Sequence, residues 1–225
     1  MNIFVFGTLL SETFRKIVLG RELHSEHICT ASLKNFCVYW AAGGPFPVIV
    51  PKDGTEVHGV VLKDLNGHDI ERLNYYELGF GYVLREALVE TNDGLQDVFA
   101  YFCKSSDMAS KNLWSFDDWL TKHSEIQYLA TTEFMDFFGT KFGDTAQRMY
   151  NSILKRAEIY VKERSSIRKV IEGGPSKHAK AQVESRSREY LGFFALNQIN
   201  LKYPYFSQRL SGTKKRVILM GSEAS

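Results

Sequence analysis

Met1-Asn2-Ile3-Phe4-Val5-Phe6-Gly7-Thr8-Leu9-Leu10 opens the chain, and its reading decides the fold. Ile3 to Phe6 is a β-branched and aromatic run suited to a buried, pleated strand, and Gly7 stops it where the backbone must turn. Without a Cβ at Gly7 the turn can be sharp. The successive N–H groups of Gly7, Thr8 and Leu9 can then converge as a nest for an anion or oxyanion. The same residues also admit a plainer reading, a hydrophobic first strand followed by an ordinary turn.

Working outward, Ser11 is placed to cap a short helix with Phe14, Ile17 and Val18 on one face and Gly20 as its stop. Ile28 to Ala42 reads as one long or bent strand, and Gly43-Gly44-Pro45 breaks it before the apolar run Phe46 to Val50. Pro51 to Gly54 reads as a turn. Glu56 to Leu62 then forms another strand, with Gly59 marking a bulge or a close backbone approach. At Asn66 the period changes. That residue can cap a helix with Ile70 and Leu73 inward, which delivers Asn74-Tyr75-Tyr76-Glu77-Leu78-Gly79-Phe80-Gly81-Tyr82. From Tyr82 the period returns to two, Asp93-Gly94 turns the chain, and Val98 to Cys103 pairs back as a hairpin.

Beyond Ser105 the pattern is helical. Ser115 with Asp118 and Ser124 with Gln127 have capping-box spacing, and Gly143-Asp144 starts a longer helix with Met149, Ile153 and Tyr160 inward. Gly173-Gly174-Pro175 ends it. The expected organisation is a first domain over 1–140, a helical extension over 141–172, a linker over 173–187 and a β-rich tail over 188–225. The tail carries too few apolar residues to fold alone, so it is expected to add to a sheet or to bury itself at a dimer interface.

Composition bounds the function. The 225 residues are 44% apolar and 13% aromatic, ample for a packed core, and a formal charge of +2 is too near zero to demand nucleic acid or an anionic membrane. No run approaches the length of a membrane span, and a basic secretory leader is not apparent, so a cytosolic protein is expected. Cys29, Cys37 and Cys103 are odd in number and scattered, and read as reduced packing thiols rather than a disulfide framework. His24, His27 and Cys29 lie close together but lack a fourth clustered ligand, so no metal is expected, and no cofactor motif is present. There is no Gly-x-Ser-x-Gly, His-Glu-x-x-His or phosphate-loop pattern, and Gly79-x-Gly81 leads into a strand rather than the helix a dinucleotide needs. What remains is a glycine-turned strand end and Glu77 between tyrosines. A carboxyl there loses hydration and rises toward the pKa of a general base; the alternative is a helix-end carboxylate bonded to the backbone.

Phe4-Val5-Phe6-Gly7-Thr8-Leu9 resembles the Tyr-Gly-Thr-Leu or Tyr-Gly-Ser signature of the γ-glutamylcyclotransferase-like superfamily, including its AIG2-like branch. Tyr76-Glu77-Leu78-Gly79 with Tyr82 and Arg85 is similar to the superfamily's Tyr-Glu-Gly, Tyr, Arg segment, in the right order and at the right distance. Over Met1 to Cys103 the resemblance implies an α+β fold: a small mixed β-barrel with flanking helices and a cavity for one glutamate-like ligand. It implies that Phe6, Gly7, Thr8 and Leu9 form the substrate-binding loop, that Glu77 is the general acid/base, and that Tyr82 and Tyr101 line the pocket. The implied reaction is cyclisation of a γ-glutamyl compound to 5-oxoproline with release of an amine or amino acid. Phe6 replaces the usual tyrosine and Leu78 the usual glycine, and a non-catalytic binding or assembly module of the same fold is the alternative. More loosely, Phe46-Pro47, Trp114-Ser115 and Asp118-Trp119 resemble the cyclotransferase-like domain that precedes a Nudix hydrolase in bacterial fusion proteins. There Tyr190 to Gly212 would match the entry strands of the second domain, but the Nudix box has no counterpart here.

Overall fold

Strand β1 (Ile3–Val5) lies between two neighbours, antiparallel to β3 (Gly44–Leu62) and parallel to β5 (Gly94–Cys103). The computed structural model describes residues 1–172. In it β5 pairs antiparallel with β4 (Tyr82–Thr91), β4 with β2 (Ile28–Ala41), and β2 with β3, so the five strands close into a mixed barrel. Helices α1 (Glu12–Leu19), α2 (Gly67–Gly79), α3 (Phe116–Lys122), α4 (Ser124–Met135) and α5 (Gly143–Glu172) complete the α+β architecture that the motifs imply. The readings for the linker at 173–187 and the tail at 188–225, including the comparison over Tyr190 to Gly212, lie outside the described residues.

Period-two alternation divides the core. Phe4 on β1 and Val98, Ala100 and Phe102 on β5 join a cluster made only of strand residues, the barrel interior. Their neighbours Ile3, Val5 and Tyr101 face the other way, into a second cluster with Phe14, Val18, Leu73, Trp119 and Phe134 of the helices. One small residue permits a close approach between strands. A Cβ on Gly59 would lie 2.4 Å from the Val5 carbonyl oxygen, which identifies the expected contact between β3 and β1.

The helix ends follow local chemistry. Ser11 Oγ accepts from the Phe14 N–H, and Gly20 closes α1 in the left-handed region at φ 72°. Asn66 and Asp69 form a reciprocal capping box at the start of α2. Asp69 is 1% exposed and also takes both arms of Arg21, at 2.8 and 2.7 Å, which ties the segment after α1 to the first turn of α2.

Three local readings are corrected. Pro51 to Gly54 does not end a strand: Lys34 pairs with Glu56 and Phe36 with Pro51, so 52–55 bulge from β3 opposite Asn35, itself at φ 61°. Thr55 Oγ1 donates to the carbonyls of Phe36 and Lys52, satisfying the bulge locally. Beyond Ser105 the chain is not all helix. Strand β6 (Ala109–Leu113) adds to the far end of β2 through Tyr39 and Ala41. Ser124 is the first residue of α4, not its cap, because α3 runs almost directly into it and the Ser124 hydroxyl donates back to the Leu120 carbonyl.

Met1–Ser165 form one compact unit, and a second begins at Ser166. Ala146, Ile153 and Ala157 of α5 share the helix-side core with Phe14 and Trp119, so the long helix packs with the barrel over this part of its length. Cys29, Cys37 and Cys103 are all free thiols and partly buried.

Candidate active site

Leu73, Tyr76, Glu77 and Phe80 stand at i, i+3, i+4 and i+7 around the end of α2, the spacing of a core-facing stripe. A carboxylate thus occupies a position that helical geometry reserves for apolar side chains. The helix start is clamped by the capping box and Arg21, and Phe80 packs edge-on to Tyr150 at 4.7 Å between ring centres. Gly81 at φ 84° then reverses the chain into β4, which brings Tyr82 back beside Glu77.

The second half of the site comes from β1. After Val5 the chain passes through Phe6 into a 3-10 turn, Gly7–Leu10. Gly7 sits at φ 81°, and a Cβ there would lie 2.2 Å from Cγ of Pro47, so this position needs glycine for both conformation and space. The Gly7 and Thr8 N–H groups, at the start of the turn, have no intrahelical acceptor. Arg15 fixes the far end by donating to the carbonyls of Leu9 and Leu10.

These elements meet around one cavity of about 50 Å³. Of the residues singled out from sequence, Phe6, Thr8, Leu9, Glu77, Tyr82 and Tyr101 all line it; Gly7 shapes the turn beneath it. Phe46, Pro47 and Phe80 add apolar wall. Leu78 is 45% exposed and Arg85 is exposed; neither lines the cavity. Leu78, which the resemblance sets against a glycine, therefore lies outside the cavity lining, whereas Phe6, which it sets against a tyrosine, lies within it.

Burial governs the chemistry here. Among the described residues no donor or cation reaches Glu77, and loss of hydration pushes its carboxyl up to about 8. The side chain keeps some accessible surface toward the cavity but is otherwise surrounded by protein. Burial also holds Tyr76, Tyr82 and Tyr101 above the ordinary phenol range, with the neighbouring Glu77 adding to it, so their hydroxyls stay protonated. Two of those hydroxyls are engaged: Tyr82 donates to the Pro47 carbonyl, and Tyr101 to Asn74 Oδ1 at 2.8 Å. The arrangement can take up and return a proton at one carboxyl in an aromatic enclosure, beside a turn presenting backbone N–H groups.

Residues 3–121 match the family model described as gamma-glutamyl cyclotransferase, AIG2-like. The chain belongs to this family. Among curated relatives, AIG2-like protein B of Arabidopsis thaliana is 29% identical over 138 residues, covering 60% of this chain and 78% of the relative. AIG2-like protein A of the same plant is 28% identical over 130 residues, covering 55% and 74%. An Arabidopsis thaliana protein solved in solution aligns at 25% identity with a TM-score of 0.43, over 63% of this chain and 93% of its own. In this AIG2-like chain two further cavity residues, Gln127 of α4 and Tyr150 of α5, lie beyond the matched segment and were not identified from sequence. A signal for the first existed: Gln127, Ala130, Thr131, Phe134 and Met135 are the buried face of α4, so two polar residues interrupt an apolar stripe. Among the described residues no three His, Cys, Asp or Glu side chains group as a metal site, and no helix is long and apolar enough to cross a membrane.

Proposed function

We propose that this chain cyclises a γ-glutamyl compound to 5-oxoproline and releases an amine or amino acid, with Glu77 as general acid/base. The observation that carries this reading is the position of Glu77: an uncompensated carboxyl in an aromatic cavity that Phe6, Thr8 and Leu9 of the strand-end turn also line. In such a substrate the α-amine nitrogen attacks the γ-carbonyl carbon, a C–N bond forms in the five-membered ring, and the bond to the leaving nitrogen breaks. The attacking nitrogen must lose a proton and the leaving nitrogen must gain one. Glu77 does both in turn, accepting the proton as carboxylate and returning it as acid. A carboxyl near pH 8 is poised for this, because both protonation states are populated close to neutrality. A bound ammonium group beside it lowers the pKa and loads the carboxylate as the substrate arrives. The Gly7 and Thr8 N–H groups, with the rest of the turn, supply donors for the substrate carboxylate or the developing oxyanion.

The family membership and the cavity support this reading. The test is the pH dependence of 5-oxoproline release from a panel of γ-glutamyl amines and γ-glutamyl amino acids. The expected result is an acid limb of kcat/KM with a midpoint near 8 in the wild type that is absent from Glu77→Gln. One observation favours a second reading, a binding module without turnover: Phe6 leaves the strand-end wall without the hydroxyl usual in the family. Tight binding of γ-glutamyl compounds with no product from any of them would select it.

A further inference from the structure

The cavity has a second polar centre, on the wall opposite in sequence to everything the motifs describe. Gln127 is 3% exposed and lines the cavity. Tyr150 Oη donates to its Oε1 at 3.3 Å, and among the described residues nothing accepts from its NH2 group. Gln127 Nε2 is not a buried atom left without a partner, so the amide keeps its accessible surface on the cavity side, at a position where a leucine would complete the stripe formed by Ala130, Phe134 and Met135. The amide is held in place nonetheless. The Tyr128 hydroxyl bonds Ser11 Oγ at 2.8 Å, which ties α4 to the residue that follows the strand-end turn, and Gln127 lines the same cavity as Thr8 and Leu9 of that turn.

The other donors are few. Among the described residues no Lys, Arg or His lines the cavity, and the hydroxyl protons of Tyr82, Tyr101 and Tyr150 are engaged on protein acceptors. An oxygen-rich ligand must therefore be met by neutral donors: the backbone of the turn, the Thr8 and Tyr76 hydroxyls, the Glu77 carboxyl while protonated, and the Gln127 amide. We infer that Gln127, oriented by Tyr150, is a specificity-determining residue of this pocket, its side-chain NH2 donating to a carboxylate or carbonyl oxygen of the bound γ-glutamyl compound. The inference rests on the reading above. Because Gln127 and Tyr150 both follow the matched segment, it assigns part of ligand choice to helices outside that segment.

The experiment uses the full chain, the variants Gln127→Leu and Tyr150→Phe, and three probes: 5-oxoproline, a γ-glutamyl alkylamine and a γ-glutamyl amino acid. Binding is read by calorimetry, and the Gln127 side-chain NH2 resonances, identified by their loss in Gln127→Leu, are followed by NMR. A missing neutral hydrogen bond corresponds to a loss of about 3- to 10-fold in affinity. Gln127→Leu is expected to weaken at least one probe by that factor, with KM rising more than kcat falls on any substrate turned over, and Tyr150→Phe to lose less. The NH2 resonances are expected to shift on binding. A penalty on all three probes places the contact on the glutamyl part; a penalty on the γ-glutamyl amino acid alone places it on the leaving group. If the wild type turns over nothing, the proposed reaction fails while binding still decides the role of Gln127. Equal affinities in wild type and Gln127→Leu with no NH2 shift, or no binding of any probe, overturn the inference. Tyr150→Phe, which preserves packing, separates this from misfolding of the leucine variant.

Discussion

Replacing Glu77 by glutamine should make the protein more stable at high pH and leave it little changed at low pH. The folded carboxyl lies near 8 against an ordinary value of 4.5, because burial disfavours its charged form. Below 4.5 the group is protonated in both folded and unfolded chains, and no penalty exists. Between 4.5 and about 8 the unfolded chain releases the proton and the folded chain keeps it, so stability falls as pH rises through this window and levels off above it. At about 1.36 kcal/mol per pKa unit the full shift corresponds to about 5 kcal/mol, an upper figure because the cavity admits water, and a measured effect of about 2–5 kcal/mol is expected. Glutamine keeps the shape and removes the charge. The assay is urea unfolding of wild type and Glu77→Gln from pH 5 to 9, taking the difference at each pH so that other titrating groups cancel. The difference should grow in favour of the variant and flatten above pH 8. A difference that stays constant across this range would refute the assignment of Glu77 to a desolvated site.

Other perturbations test the supporting structure. Gly7→Ala combines positive φ with a clash against Pro47 and should cost about 2–4 kcal/mol in denaturant unfolding. Asp69→Asn should cost about 2 kcal/mol at pH 7; because the Arg21 hydrogen bond holds the Asp69 carboxyl low, that stabilisation is present above the ordinary Asp range and disappears on acidification below it, which unfolding at pH 3 and pH 7 would show. Leu78→Gly restores the residue usual in the family at an exposed helix position and should lower stability by up to about 1 kcal/mol, with turnover within twofold of wild type in the 5-oxoproline assay.

Much of the site was legible because its signals are local. The strand-stopping Gly7, the caps at Ser11, Gly20 and Asn66, and the hairpin between β4 and β5 each depend on residues within a few positions of one another. Glu77 stood out because it is a carboxylate set among tyrosines and glycines at the end of its helix. Features that depend on distant partners were not legible. β6 reads Ala-Ser-Lys-Asn-Leu, with no alternation, and is a strand only because the end of β2 offers an edge. The bulge at 52–55 has turn chemistry in sequence and stays in β3 because the strand pairs with β2 on both sides of it. Gln127 and Tyr150 reach the cavity through packing of α4 and α5, 50 and 73 residues after Glu77. Only the two polar residues on the α4 stripe hinted at this.

The central claim, that Glu77 moves the proton in a γ-glutamyl cyclisation, is tested most directly by single-turnover release of 5-oxoproline from wild type and Glu77→Gln on the same γ-glutamyl substrate, with binding of 5-oxoproline measured in parallel. Removing a general acid/base costs about 10² to 10⁴ in rate, so the variant should bind 5-oxoproline as the wild type does and release it at least about a hundredfold more slowly. Equal rates in the two proteins would contradict the account.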